Sequence, residues 1–393
     1  MKNKVKPGID VLRDQRFALL RGKRVGLITN PTGLTSDLEA TVDVLYNAPG
    51  VNLVALFGPE HGVRGDVEAG RYVESYVDDR TGLPVYSLYG RTRKPTPDML
   101  RGIDVLVYDI QDIGVRSYTY ISSMGLAMEA AGEQNIPFVV LDRPNPLGGL
   151  KVSGTMLDPA FKSFVGMYPI PYVYGMTTGE LAQMINAERW LNGGRRVNLH
   201  VVPMEGWVRS MWWDDTGLAW VPPSPHIPQP TTPMFYVMTG LLGEIGTANQ
   251  GVGYTLPFEL VGAPWVNSHL LARHLNGLGL AGIEFRPMSY RPFYYDTTGI
   301  RYNGVHLHVT ERDLLDFAAV QFSILRSLLT VFPDRNIFDR ARPDRIEMFD
   351  KVMGTDVIRK RLMEGWTVES LLRVVDQERA EFMIRRERYL LYD

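Results

Sequence analysis

The first 150 residues alternate short β-rich runs with helix-like stretches, which limits the chain to βαβ units around a parallel sheet. Residues 24–28 read as a first strand ending at the turn Asn30-Pro31-Thr32-Gly33. Ser36 and Asp37 are positioned to cap a following helix whose apolar side carries Leu38, Val42 and Leu45. Further strands are expected at 51–57, 84–88, 105–110 and 136–141, with an apolar helix at 121–132. The pattern predicts an α/β chain that opens with a Rossmann-like parallel-sheet domain.

Beyond about residue 155 the texture changes. Residues 156–175 are rich in Pro, Tyr and Gly, as suits a crossing between domains. A helix opening at Thr178-Gly179-Glu180, a strand at 197–202, two more strands at 283–286 and 305–309, and a helix from Asp313 to about Leu329 follow. The tail from 345 to 388 reads as short helices. At 393 residues two domains are the default. The expected division is 1–155, carrying the catalytic loops, and 156–393, a smaller α/β domain with C-terminal helices that completes a cleft. Within the second part, Pro222, Pro223, Pro225 and Pro228 hold residues 221–228 out of any helix.

Composition removes several function classes. Lys and Arg total 42 against 44 Asp and Glu, so a net charge of −2 gives no broad drive toward nucleic acid or anionic lipid. There are no cysteines, which excludes disulfides, thiolate metal sites and thiol nucleophiles. No run of 18 apolar residues occurs, so no spanning helix is expected. Residues 1–10 are polar and basic without an apolar core, so no signal peptide is read there. The expected location is extracytoplasmic if an upstream leader was removed, and cytoplasmic otherwise. No G-x-G-x-x-G, Walker A, H-E-x-x-H or G-x-S-x-G motif is present, so nucleotide, zincin and elbow-esterase chemistries lose their usual support. No cofactor and no metal are expected.

Acidic side chains at strand ends remain as the candidates. Glu60, Asp109 with Asp112, and Asp142 each follow an apolar run, and loops leaving the carboxyl ends of parallel strands share one crevice. Glu60, in a Gly- and Pro-rich loop, is read as a general acid whose pKa rises against apolar neighbours. The alternative is a surface Glu paired with Arg64. His61 is read either as a substrate ligand or as a loop brace. Of Asp109 and Asp112, one is expected to be functional and the other to cap a helix or pair with Arg116. Tyr118 can stack on a sugar or pack in the domain interface, and Tyr174 opens a capped helix start. Asp142, Arg143 and Asn145 sit on a proline-stiffened loop. Arg143 is suited to a ligand carboxylate, or to locking Asp109 or Glu60.

At these residues the chain resembles the NamZ-type exo-β-N-acetylmuramidases, bacterial glycoside hydrolases formerly classed as a domain of unknown function. The matching stretches include Asn30-Pro31-Thr32-Gly33, residues 57–65, residues 109–120 and residues 141–146. Later ones are Pro222-Pro223-Ser224-Pro225, Pro257-Phe258-Glu259, Gly262-Ala263-Pro264-Trp265 and residues 304–310. The resemblance implies a Rossmann-like domain paired with a smaller α/β domain, with the active site in the cleft between them. It implies release of N-acetylmuramic acid from non-reducing ends of peptidoglycan fragments, with Glu60 catalytic and a saccharide or muropeptide as partner. A segment usually of the type E-G-T-N-x-S-E-G-R-G-T reads here from Glu244 to Tyr254, with Gln250 and Val252 replacing a glutamate and an arginine. The lactyl carboxylate of the sugar would give Arg143 or Arg116 a role. Two other readings stand beside the glycosidase. One is a metal-dependent hydrolase using Glu60, His61, Asp109 and Asp112, and the other a glycan-binding chain without turnover.

Overall fold

The computed structural model describes residues 4–60, 62–65, 74–294 and 298–393. His61 lies outside the described residues. The first part of the chain runs α1 (Gly8–Asp14), β1 (Arg24–Thr29), α2 (Thr41–Asn47), β2 (Asn52–Gly58), β3 (Tyr76–Val77) and β4 (Pro84–Ser87). It continues with β5 (Val105–Asp109), α3 (Tyr120–Glu133), β6 (Phe138–Leu141), β7 (Ser153–Met156), β8 (Pro171–Val173), α4 (Thr178–Ala187) and β9 (Leu199–Val202). The large sheet has the order β3-β4-β2-β1-β5-β6-β9 and is parallel except at the β3–β4 edge. Its central strands are buried on both faces, as their continuous Val, Leu and Ile runs require. One apolar layer gathers Ile28, Phe57, Leu106 and Phe138 against α3 and α4, and the other sets Val25, Leu27, Val107 and Val139 against α1 and α2.

The second part comprises α5 (Thr232–Ile245), β10 (Leu260–Ala263), α6 (Ser268–Asn276), β11 (Ile283–Tyr290), β12 (Tyr302–Val309), α7 (Phe317–Val331), α8 (Pro343–Met353), α9 (Val357–Met363) and α10 (Val368–Arg386). Its antiparallel sheet, in the order β10-β12-β11, and its helices enclose a core built from Met238, Leu241, Phe322 and Phe349. Among the described residues no helix is long and apolar enough to cross a membrane. The architecture is two-domain α/β, with a mostly parallel sheet followed by a smaller α/β unit.

Three local expectations change. Ser36 and Asp37 cap no helix, because the Thr35 hydroxyl accepts from the backbone N–H of Asp37 and Glu39 and delays α2 until Thr41. Leu38 is left exposed with φ 70° rather than on a buried helix face. The helix expected from Asp313 starts at Phe317, where the Asp316 carboxylate accepts from Ala319 N–H. The large sheet also draws its edge strand β9 from beyond residue 155, where the sequence changes texture.

Candidate active site

Parallel pairing decides where Glu60 emerges. In the β2–β4 ladder Gly58 is opposite Ser87, so Glu60 and Tyr89, each two residues further on, leave the sheet at the same end. The Tyr89 hydroxyl hydrogen-bonds the Glu60 carboxylate, and burial together with that neighbouring charge raises the tyrosine pKa. A cavity of about 260 Å³ opens beside Glu60. From the first part of the chain it takes Ser117, Tyr118, Thr119 and Tyr120, which form the entry to α3. Ser224, His226 and Ile227 of the proline-rich segment form another wall.

The far wall comes from the second part of the chain, through Tyr236 and Glu244 of α5 and through Phe258. Tyr236 and Glu244 are eight residues apart, close to one face of the helix. Phe258 holds φ 67°, a conformation uncommon outside glycine, and its ring meets Tyr236 edge-on at 4.9 Å. Ser117 joins the Tyr172 and Tyr236 hydroxyls at 3.2 and 3.1 Å and so braces that wall. Glu244 has its pKa raised by burial, with Arg345 opposing from 3.6 Å. Glu60, Glu244 and Tyr236 all line this one cavity. Glu244 is the acidic residue that strand-end reasoning passed over. Its sequence signal is a carboxylate in the last turn of α5, where the helix dipole disfavours negative charge.

The remaining strand-end carboxylates are directed elsewhere. Asp109 is fully buried and takes both arms of the Arg143 guanidinium, at 2.5 and 2.9 Å, plus the Thr41 hydroxyl at 2.5 Å. Arg143 thus locks Asp109, and it also donates to the Leu34 carbonyl. Asp142 accepts from the N–H groups of Arg143 and Gly179 and from the hydroxyls of Thr177 and Tyr392. Burial nonetheless raises its pKa to about 6. Asp112 accepts at one oxygen from Gly114 N–H and from Tyr174 Oη at 2.6 Å, and burial raises its pKa to about 7. Tyr174 is therefore the brace of Asp112 and does not line the cavity.

Arg116 departs furthest from expectation. It is fully buried and donates to the carbonyls of Thr155, Ile170, Val352 and Met353, with no carboxylate partner among the described residues. Two of those carbonyls end α8, where a cation suits the helix dipole. Burial lowers its pKa to about 10. Asn145 donates to the Met176 carbonyl and accepts from Leu147 N–H. Arg64 pairs with Asp78 at 2.9 Å and reaches Asp43 at 3.5 Å. A desolvated charge or amide must find a partner, and these side chains found theirs in the protein. Of the residues picked from the sequence, Glu60 and Tyr118 line the cavity. His306 and His308 share one face of β12, 4.0 Å apart between rings, with His306 against Glu259. Among the described residues no group of three or more metal-ligating side chains is gathered for an ion.

Comparison with known proteins gives a consistent identity. Residues 25–231 match the N-terminal family model of the exo-β-N-acetylmuramidase NamZ, and residues 234–392 match its C-terminal one. The chain is 45% identical over 391 residues to the peptidoglycan β-N-acetylmuramidase NamZ of Bacillus subtilis (strain 168), covering 100% of this chain and 92% of that protein. A crystal structure of a DUF1343 family protein from Bacteroides fragilis NCTC 9343 superimposes with a TM-score of 0.94 at 50% identity, over 99% of each chain. A second DUF1343 protein from that organism gives 0.79 at 29% identity, over 100% of this chain and 99% of its own. With both halves matched in order, the chain belongs to the NamZ exo-β-N-acetylmuramidase family.

Proposed function

We propose that this protein is an exo-acting glycosidase that releases N-acetylmuramic acid from the non-reducing ends of peptidoglycan fragments. The observation that carries the reading is the pair Glu60 and Glu244 on one cavity, within a chain matched to this family along both halves. Glycoside hydrolysis generally uses two carboxyl groups, one to protonate the departing oxygen and one to act at the anomeric carbon. Environments that push two carboxyl pKa values apart divide those tasks.

Strand-end position marked Glu60 as the proton donor, but burial raises the Glu244 pKa above its ordinary value, which suits Glu244 to that task. Glu60, steadied by the Tyr89 hydroxyl, is the carboxylate. In the reaction the bond from the anomeric carbon to the aglycone oxygen breaks and that oxygen takes the Glu244 proton. A water oxygen bonds to the anomeric carbon, and its proton passes to Glu60. The aromatic wall of Tyr118, Tyr120 and Tyr236 offers apolar ring surface to the sugar. Incubation with a disaccharide of N-acetylmuramic acid and N-acetylglucosamine, followed by mass spectrometry, should yield both free sugars. An intact disaccharide after prolonged incubation with folded protein overturns the reading.

A further inference from the structure

Glu244 stands in the last turn of α5, where a helix leaves carbonyls without intrahelical partners. Arg345, the third residue of α8, closes on that turn. Its Nη2 donates to the Gly243 carbonyl at 2.5 Å and lies 3.6 Å from the Glu244 carboxylate. One nitrogen thus serves two neighbouring residues, the first as a helix cap and the second as a charge partner. The bond to Gly243 holds the guanidinium at a helix end that favours cations, so the backbone sets its distance from Glu244. About a third of each side chain stays exposed, 35% for Arg345 and 32% for Glu244, so salt can screen the pair. Glu244 lines the cavity and Arg345 does not.

The reaction proposed above moves negative charge onto Glu244. Its carboxyl begins protonated and ends ionised, once the aglycone oxygen has taken the proton. Burial opposes the ionised form. The buried phenols of Tyr172 in β8 and Tyr236 in α5 feel the Glu244 charge, and Glu60 and His226 share its cavity. Arg345 adds a cation at a fixed 3.6 Å, from a helix that packs on α5. That charge stabilises the ionised product of donation and is in place before the reaction begins. It also limits how far burial raises the proton affinity, and an acid donates best with a pKa near the working pH.

Granted the glycosidase reading above, with Glu244 as donor, we propose that Arg345 is a positioning residue that anchors the end of α5 and, acting through Glu244, sets the rate of proton donation and the alkaline limit of activity. The test measures kcat and KM across pH for the wild type, Arg345→Gln and Arg345→Lys. Two substrates are compared, the disaccharide of N-acetylmuramic acid and N-acetylglucosamine and a nitrophenyl N-acetylmuraminide. Gln can still donate to the Gly243 carbonyl but carries no charge, whereas Lys keeps the charge. With the disaccharide, Arg345→Gln should lower kcat roughly three- to tenfold at nearly unchanged KM, the weight of one partly screened charge at this distance. Without the cation Glu244 holds its proton more tightly, so the alkaline limb of kcat should move to higher pH. Arg345→Lys should keep the wild-type limb. The nitrophenyl compound, whose leaving oxygen needs little protonation, should show neither change. A mere helix cap would alter stability and leave the limb in place. An unmoved or lowered limb in the Gln variant, or equal changes with both substrates, overturns the inference while the glycosidase reading stands. A wild type that cleaves neither compound removes that reading as well. If the Gln variant does not fold, raising the salt from about 50 to about 500 mM screens the same pair in the wild type. The limb for the disaccharide should then rise, and a fixed limb overturns the inference.

Discussion

Arg143 closes a two-armed ion pair on Asp109, with Nε at 2.5 Å and an outer nitrogen at 2.9 Å, beneath the carboxyl ends of β1 and β5. The pair ties the proline-stiffened loop after β6 to the centre of the sheet. Both side chains are buried, so each is the condition for burying the other.

Breaking that pair should cost stability rather than specificity. Arg143→Met leaves the Asp109 carboxylate buried with the Thr41 hydroxyl as its remaining side-chain partner, at a cost of about 3–5 kcal/mol. Urea unfolding should report that loss, while KM measured on the folded fraction stays within about twofold of wild type. A large rise in KM with unchanged stability would place Arg143 on the substrate after all.

Arg116 should behave as a staple between the two parts of the chain. Arg116→Met strips a donor from four carbonyls, two on β7 and the loop before β8 and two at the end of α8. Gly354, at φ 82° beside the guanidinium, brings the end of α8 close enough for those bonds. The expected destabilisation is about 3 kcal/mol or more, since several buried acceptors lose their partner together. Limited proteolysis should find new cuts near residues 350–356. Wild-type resistance would count against the staple.

Stability should fall as pH rises through the range set by Asp112. In the unfolded chain this carboxyl ionises near pH 4, whereas in the folded chain burial keeps it protonated to about 7. Between those limits the folded state binds more protons, so raising the pH favours unfolding until the folded group ionises. The full effect is on the order of 4 kcal/mol. Asp142, raised to about 6 by burial, adds to the same slope at its lower end. Asp112→Asn keeps an oxygen for Gly114 N–H and Tyr174 Oη and removes the ionisation. Denaturation midpoints taken from pH 4 to 8 should decline less steeply in that variant. Parallel curves would refute the buried carboxyl as the cause.

The two glutamates should separate by leaving group. Glu244→Gln removes the proposed proton donor, so it should slow a natural disaccharide by roughly a hundredfold or more. An activated nitrophenyl glycoside, whose leaving oxygen needs little protonation, should be much less affected. Glu60→Gln should suppress both substrates. The reverse pattern would return the donor role to Glu60, and two unaffected variants would move the chemistry out of this cavity.

Much of the fold could be read because its signals are local. The strand runs at 24–28, 105–110 and 136–141 are continuous and apolar, and their elements lie within a residue or two of expectation. The Thr178 helix start was legible too, although the structure assigns the cap to Thr177, whose hydroxyl accepts from Glu180 N–H while Glu180 answers at the Thr177 N–H. Ser36 and Asp37 misled because a turn centred on Thr35 competes with a helix cap for the same residue types. The place of Glu60 on the candidate cavity was legible, since a residue just past a parallel strand must emerge at the carboxyl edge. That of Glu244 was not, since it reaches the cavity on a helix of the other part of the chain.

By itself the sequence determined the parallel sheet, the edge at which acidic residues leave it, and the absence of thiol chemistry. Periodicity, proline placement and composition are properties of neighbouring residues and need no long-range contact to be read. The tertiary structure alone decided which charges remain open to a ligand. Asp109, Asp142, Arg143 and Arg116 are chemically equal to site residues until distant partners enclose them. Whether a buried charge is neutralised by the protein or left facing a cavity depends on contacts between segments far apart in the chain.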